Sequence, residues 1–252
     1  MNAVQFLRIM EKENGVEIWM AAETGSHSFG LQTPESDRDI RFVFMQKNMR
    51  DYLSLKAKHE VITFKNAEFE IEGWDIFKAF RLMQKSNPGM FEWFHSRTID
   101  ISNHKFVCEI KELIQTHYSK RTLGLHYFNM CRTNLAYLKK IAVMEKKAHK
   151  TMVQVARCYL MLLVLLQKRR LPPLHIDELL NGASMNSAIR YSIEELFRLK
   201  KQNRYLSGKA LMDTSVLLEE ELIAIQSMLS GLPEGKGMEG ELNELAWKCL
   251  GI

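Results

Sequence analysis

Cysteine is scarce and never paired in this chain. The four cysteines, Cys108, Cys131, Cys158 and Cys249, lie far apart and form no Cys-x-x-Cys pair. That spacing argues against a disulfide frame and against a cysteine-built zinc site, and it fits reduced thiols in a cytoplasmic protein. No His-x-x-x-His pair or His/Cys cluster suggests zinc either. No Lys-Ser/Thr follows the glycines as in a P-loop, which argues against that class of ATPase. Long apolar runs are missing too. The longest, from Cys158 to Leu166, is much too short to span a bilayer, so no membrane partner is expected. The opening residues include Arg8, Glu11, Lys12 and Glu13 and lack the apolar stretch of a signal peptide. Repeats and low-complexity tracts are absent. Charge is only mildly one-sided, net +5 with a pI near 8.9. That allows an anionic substrate but is too weak to specify nucleic acid.

What is present is ordinary in bulk and unusual in one place. The apolar fraction of 46% suits a globular protein with a sizeable core. The unusual place is Gly25-Ser26-His27-Ser28-Phe29-Gly30, followed by Ser36-Asp37-Arg38-Asp39-Ile40-Arg41-Phe42. The first run is turn-prone and comes straight after an apolar stretch, residues 16–22. Asp37 and Asp39 stand at i and i+2 just before the strand-like residues 40–45. Such residues point to one face of a strand. Two carboxylates crowded together repel unless a cation or a proton sits between them. A glycine-serine turn nearby can offer backbone N–H groups to an anion. An anion cradle beside a dicarboxylate is the minimum equipment for a metal–triphosphate. The bland alternative is a solvated acidic turn. Arg41 shares the face of Asp39 and is expected to pair with an acid.

The remaining pattern predicts an α+β protein. A helix over residues 4–13 ends at Asn14-Gly15. Strands are expected at 16–22, 39–45, 61–64 and 68–71. In the last, Phe69 and Ile71 alternate with Glu68, Glu70 and Glu72, so the acids should face away from the core. A helix over 74–84 should follow, then one opening at Pro88 with Asn87 as its cap. Trp74 and Trp93 read as core rather than as base-stacking platforms. From residue 106 on, the pattern is helical: 106–116, 122–145, 150–169, 176–180, 187–201, 214–229 and 241–250. Pro172-Pro173 breaks off the long helix over 150–169, and residues 231–240, with four glycines and a proline, read as a mobile loop. The division expected is a small mixed-sheet catalytic domain with flanking helices, 1–105, and an all-helical domain, 106–252.

Gly25-Ser26, with Gly30 four residues after the serine, then Ser36-Asp37-Arg38-Asp39, resembles the nucleotidyltransferase superfamily of DNA polymerase beta. The likeness is closer to the bacterial and phage predicted nucleotidyltransferases associated with RNA-repair ligases. It continues at Glu70-Ile71-Glu72-Gly73-Trp74-Asp75, at Lys85-Ser86-Asn87-Pro88 and at Phe91-Glu92-Trp93-Phe94-His95-Ser96. The first hundred residues carry it well and the helical remainder more loosely. The resemblance implies Mg²⁺ or Mn²⁺ as cofactor, a nucleoside triphosphate such as ATP as donor, and transfer of a nucleoside monophosphate to an unknown acceptor, with RNA and protein as the candidates. Asp37 and Asp39 become the metal ligands. Glu70 aligns with the third acid, where most relatives carry Asp, and Glu68, Glu72 and Asp75 stay open as rivals. Gly25 and Ser26 become phosphate-binding residues, with His27 inside the same turn.

Lys150 and Arg157 are seven residues apart on a predicted helix and so share a face, among mostly apolar neighbours. Such a pair either lines a cavity that holds anions or lies at the surface. Relatives also show a Lys and an Arg here, which implies contact with the nucleotide's phosphates. A second function class stays open: a non-catalytic module on the same fold that senses nucleotide or binds a partner.

Overall fold

The computed structural model of the chain describes residues 2–55, 59–140 and 146–252. It is an α+β protein that divides into two compact units. One comprises Met1–Ser28, Asp37–Tyr118 and Gly235–Ile252; the other comprises Phe29–Ser36 and Ser119–Glu234.

In the first unit, helix α1 (Ala3–Asn14) starts at a reciprocal cap. The Asn2 side chain accepts the Gln5 N–H, and the Gln5 side chain accepts the Asn2 N–H. The helix stops at Gly15, and strand β1 (Val16–Thr24) begins at once. A short helix, α2 (Gly25–Phe29), follows, then strand β2 (Arg38–Gln46) and a 3₁₀ turn at Met49–Leu53. Strands β3 (Val61–Lys65) and β4 (Phe69–Asp75) form a hairpin.

Helix α3 (Ile76–Gln84) begins two residues later than the pattern predicts. Trp74 and Asp75 extend β4, because β2 continues alongside as far as the Phe44–Asp75 pairing. Asp75 then caps the helix by accepting the Phe77 N–H at 2.9 Å. Helix α4 (Pro88–His95) opens as predicted, with Asn87 capping and Pro88 in the first turn. A two-residue strand, β5 (Arg97–Thr98), and helix α5 (His104–His117) follow, and α11 (Glu239–Leu250) closes the unit against α3.

The sheet has the order β3-β4-β2-β1-β5. It is mixed: β2 and β4 run parallel, while the other neighbours are antiparallel. Ile18, Ile40, Phe42, Phe44, Phe69 and Ile71 form one buried cluster with Leu7 and Met10 of α1. On the other face Trp19 meets Phe106 of α5 edge-on, with ring centroids 5.5 Å apart. Asp39 and Arg41 alternate with Ile40 and Phe42 along β2, so they project from the face that α1 leaves open.

The second unit is built on helices α6 (Lys120–Leu138), α7 (Lys146–Lys168), α8 (Ile176–Gly182), α9 (Ser187–Lys201) and α10 (Gly208–Ile225). Residues 141–145, the end of the helix predicted over 122–145, lie outside the described residues. Helix α7 is the core helix, buried almost without break from Met152 to Leu166. It is long and apolar enough to cross a membrane, but 78% of its apolar window is buried inside the fold. Residues 231–240 lack regular structure for most of their length, as their glycines predict, yet they are tied down. The Pro233 carbonyl accepts the Arg121 N–H at 3.0 Å, the Lys236 N–H donates to His117 at 2.9 Å, and Leu232 and Met238 are buried.

Candidate active site

Three chain segments of the first unit meet at the carboxylate of Asp39. On one side β1 ends at Thr24, opposite Asp39 in the ladder, and the Thr24 hydroxyl donates to the Asp39 carbonyl at 3.2 Å. The chain then turns at Gly25 with φ +64°, a conformation that costs a residue with a Cβ. Space makes the same demand. A Cβ on Gly25 would lie 2.0 Å from Asp39 Oδ2. On the other side, β4 sets Glu70 directly beside Asp39 in the parallel register.

Cations run between these acids. Arg41 Nη2 lies 3.5 Å from Asp39 Oδ1 and 3.1 Å from Glu70 Oε1, so the expected ion pair is present and is shared. Lys65, at the end of β3, places Nζ 2.6 Å from Glu70 Oε2. Sequence reasoning missed Lys65. The available signal was its place in the hairpin: it stands opposite Glu70 across the Lys65-Asn66-Ala67 turn.

The two acids on this face differ electrostatically. Burial, the largest cause, raises the Asp39 carboxyl above its ordinary value; Arg41 opposes this, and the charges of Asp37 and Glu70 add to it. The Asp39 side chain is 23% exposed. Glu70 goes the other way: hydrogen bonds from Lys65 and then Arg41 hold its carboxyl below the ordinary value. Asp37 is exposed. Asp39 is thus partly desolvated and feels the charge of Asp37, which itself stands in solvent. As placed, Glu70 is already neutralised by two protein cations. Among the described residues, no group of three His, Cys, Asp or Glu side chains is arranged to hold a metal ion.

The rivals for the third position have other partners. Asp75 is buried, accepts the Tyr52 hydroxyl at 2.7 Å and caps α3. Glu72 accepts the indole N–H of Trp74 at 2.8 Å. Glu68 is exposed beyond the start of β4. Trp93 is buried and packs on Trp74, with centroids 4.0 Å apart, which fits a packing role for both rings.

In the glycine-serine turn, Ser26 is half-buried, and Ser28 shares a hydrogen bond with Ser96 at 2.9 Å. His27 Nδ1 lies 3.6 Å from Glu23 Oε1, while its Nε2 is buried with no hydrogen-bond partner.

Lys150 and Arg157 belong to the second unit, and their surroundings there differ. Lys150 is exposed near the start of α7. Arg157, two turns on, is 3% exposed. Its guanidinium lies 4.0 Å over the Phe29 ring, with Nε 3.4 Å from Gln154 Oε1 and Nη1 3.4 Å from Met161 Sδ. The segment that carries Phe29 is held elsewhere in the same unit. Gly30 packs so tightly on His175 that a Cβ would lie 2.1 Å from Nε2, and Asn203 donates to Glu35 at 2.9 Å.

Residues 2–248 match the profile of the RNA repair pathway DNA polymerase beta family. The chain is also 28% identical over 244 residues to the uncharacterized protein YcgL of Bacillus subtilis (strain 168), across 95% of this chain and 92% of that one. A crystal structure of a nucleotidyltransferase-like protein from Exiguobacterium sibiricum 255-15 aligns with 91% of this chain and 75% of its own, at 12% identity and a TM-score of 0.34.

Proposed function

The chain belongs to the RNA repair pathway DNA polymerase beta family, and on that premise we propose that it is a metal-dependent nucleotidyltransferase. The observation that carries this reading is the convergence on Asp39. A left-handed glycine turn is packed against a raised-pKa carboxylate, with a second aspartate two residues before it.

Asp37 and Asp39 would hold Mg²⁺ or Mn²⁺, with Glu70 as the third ligand once it exchanges Lys65 for the metal. When bound, the metal supplies charge neutralisation for the attacking and leaving oxygens of an in-line displacement. Gly25 and Ser26 bind the phosphates through backbone N–H groups and the Ser26 hydroxyl. Arg41 steers Asp39 and Glu70 and limits their repulsion. The acceptor oxygen bonds to the α-phosphorus of a nucleoside triphosphate, the bond to the bridging oxygen breaks, pyrophosphate leaves, and the acceptor's proton passes to solvent. Positioning and electrostatics account for the protein's part in such chemistry. ATP is the donor to try first, and RNA and protein are the acceptor classes.

We assign the chemistry to residues 1–105 and treat 106–252 as the helical remainder, in which Lys150 and Arg157 are carried forward as phosphate-contacting residues. Four cysteines with no disulfide among them support a reducing, cytoplasmic setting.

A second reading, a nucleotide-sensing or partner-binding module without catalysis, is favoured by one observation. Glu70 is committed to Arg41 and Lys65. Incubation with α-labelled nucleoside triphosphates, Mg²⁺ or Mn²⁺, and RNA or protein acceptors separates the two. Label joined to an acceptor supports the enzyme; saturable nucleotide binding with no transfer to any acceptor supports the module.

A further inference from the structure

Sulfur gathers in the second unit where α6 packs along α7. Met130 and Cys131 come from α6, Cys158 and Met161 from α7. The Cys158 thiol donates to Met130 Sδ at 3.2 Å. The Cys131 thiol is within hydrogen-bond reach of Cys158 and donates to the Val155 carbonyl at 3.4 Å. Two thiols and a thioether thus meet sulfur to sulfur across the helix pair. Because the third donor is a thioether, this cluster is of a different kind from His, Cys and carboxylate centres.

A buried cysteine by itself is a small apolar packing group. Here polar groups are also set against the sulfurs. Gln154 Nε2 lies 2.9 Å from Met130 Sδ and 3.7 Å from Cys158 Sγ. Burial pushes the Cys131 thiol well up, Cys158 adds to this, and the positive charge of Arg157 opposes it. Both cysteines are fully buried, while Met130 and Gln154 are half-buried. The cluster therefore reaches solvent along one edge, at the thioether.

We propose that Met130, Cys131 and Cys158 form a site for a soft monovalent cation, Cu(I). Thiolate and thioether donors without oxygen or imidazole select that ion, whereas Zn²⁺ in protein sites takes four ligands drawn from thiolate, imidazole and carboxylate. Charge points the same way. Two thiolates and Cu(I) carry one net negative charge, which Arg157 cancels; a divalent ion would leave one positive charge uncancelled in the interior. Binding forms bonds from the ion to Sγ of Cys131 and of Cys158, with Met130 Sδ as the third donor. The two thiol protons pass to solvent, and no electron is transferred. The half-buried Met130 is the point of entry, and Gln154 holds the thioether and the Cys158 sulfur together. The site is independent of the carboxylates in the first unit.

The test uses the full chain, reduced, metal-free and without air, titrated with Cu(I) carried by the chromophoric chelator bathocuproine disulfonate. The wild type should take one Cu(I) per chain from the chelator. Cys131→Ala and Cys158→Ala should each abolish this. Met130→Leu, which keeps the volume, should weaken binding by at least about tenfold, the least that losing a supporting group costs a metal site. A chain carrying both Cys108→Ser and Cys249→Ser should bind like the wild type. Affinity should rise about a hundredfold per pH unit, because two thiols give up their protons. Circular dichroism checks that each variant is folded; the wild-type stoichiometry, the Met130→Leu result and the pH slope decide the matter even if an alanine variant unfolds. A wild type that takes no Cu(I) from the chelator, loss of binding in the Cys108→Ser, Cys249→Ser chain, or wild-type affinity in Met130→Leu and in the folded alanine variants would overturn the assignment.

Discussion

Gly25 and Asp39 fit together so closely that a Cβ on the glycine would lie 2.0 Å from Asp39 Oδ2. The turn and the carboxylate therefore form one device, although thirteen residues lie between them in sequence. Gly25→Ala must twist a backbone held at φ +64° and push the carboxylate aside. The backbone strain alone is about 1–2 kcal/mol. We expect a folded protein, by circular dichroism, that has lost divalent-metal binding measured by calorimetry.

Asp39→Asn should stabilise the metal-free protein. Asp39 is a carboxyl whose folded pKa is raised, so its ionisation costs stability. The cost begins as pH rises through the ordinary carboxylate value and is complete above the raised one. Melting curves should show the variant more stable at neutral pH by a few degrees at most, with the difference vanishing in acid. Added Mg²⁺ or Mn²⁺ should raise the melting temperature of the wild type and not of the variant. A variant less stable than wild type at neutral pH would show that the pair with Arg41 outweighs the burial cost.

Glu70 has two possible employments, and substitution separates them. As a metal ligand it should tolerate Glu70→Asp and lose most turnover in Glu70→Gln. As a mere partner of Lys65 and Arg41 it should give full activity in both. Lys65→Ala gives an independent check. Removing a cation that lies 2.6 Å from Glu70 Oε2 should tighten divalent-metal binding if Glu70 is a ligand, and leave it unchanged otherwise.

Arg157→Ala tells a phosphate ligand from a packing group. Its guanidinium is buried over Phe29, and a desolvated cation–aromatic contact is worth about 2 kcal/mol. We expect a clear fall in melting temperature, together with faster amide exchange in residues 29–36. A variant that melts like wild type but binds nucleotide weakly would make Arg157 a phosphate ligand alone.

Much of this was legible in the sequence because local rules agreed. The helix end at Asn14-Gly15, the strand-like run from Ile40 to Met45, and Asn87-Pro88 at a helix start each fix their element without distant help. The misses are long-range. Trp74 and Asp75 join the strand because β2 runs on beside them, which no local pattern states. Arg97 and Thr98 make a strand too short to show a period. The attachment of residues 29–36 to the helical unit depends on contacts such as Glu35 with Asn203, and Lys65 reaches Glu70 only once the hairpin closes. At the candidate site, the residue types and spacing singled out Asp37, Asp39, Gly25 and Arg41 as candidates, and the pair of Arg41 with Asp39 is present. The ion pairs of Glu70 with Lys65 and Arg41 required coordinates.

The most direct measurement is transfer of α-labelled nucleoside monophosphate by the wild type, Asp37→Asn and Asp39→Asn, side by side at saturating Mg²⁺ or Mn²⁺ with RNA and protein acceptors. The account predicts metal-dependent labelling of one acceptor class by the wild type and its loss in both variants, which remain folded. Wild-type transfer rates in either variant would contradict it.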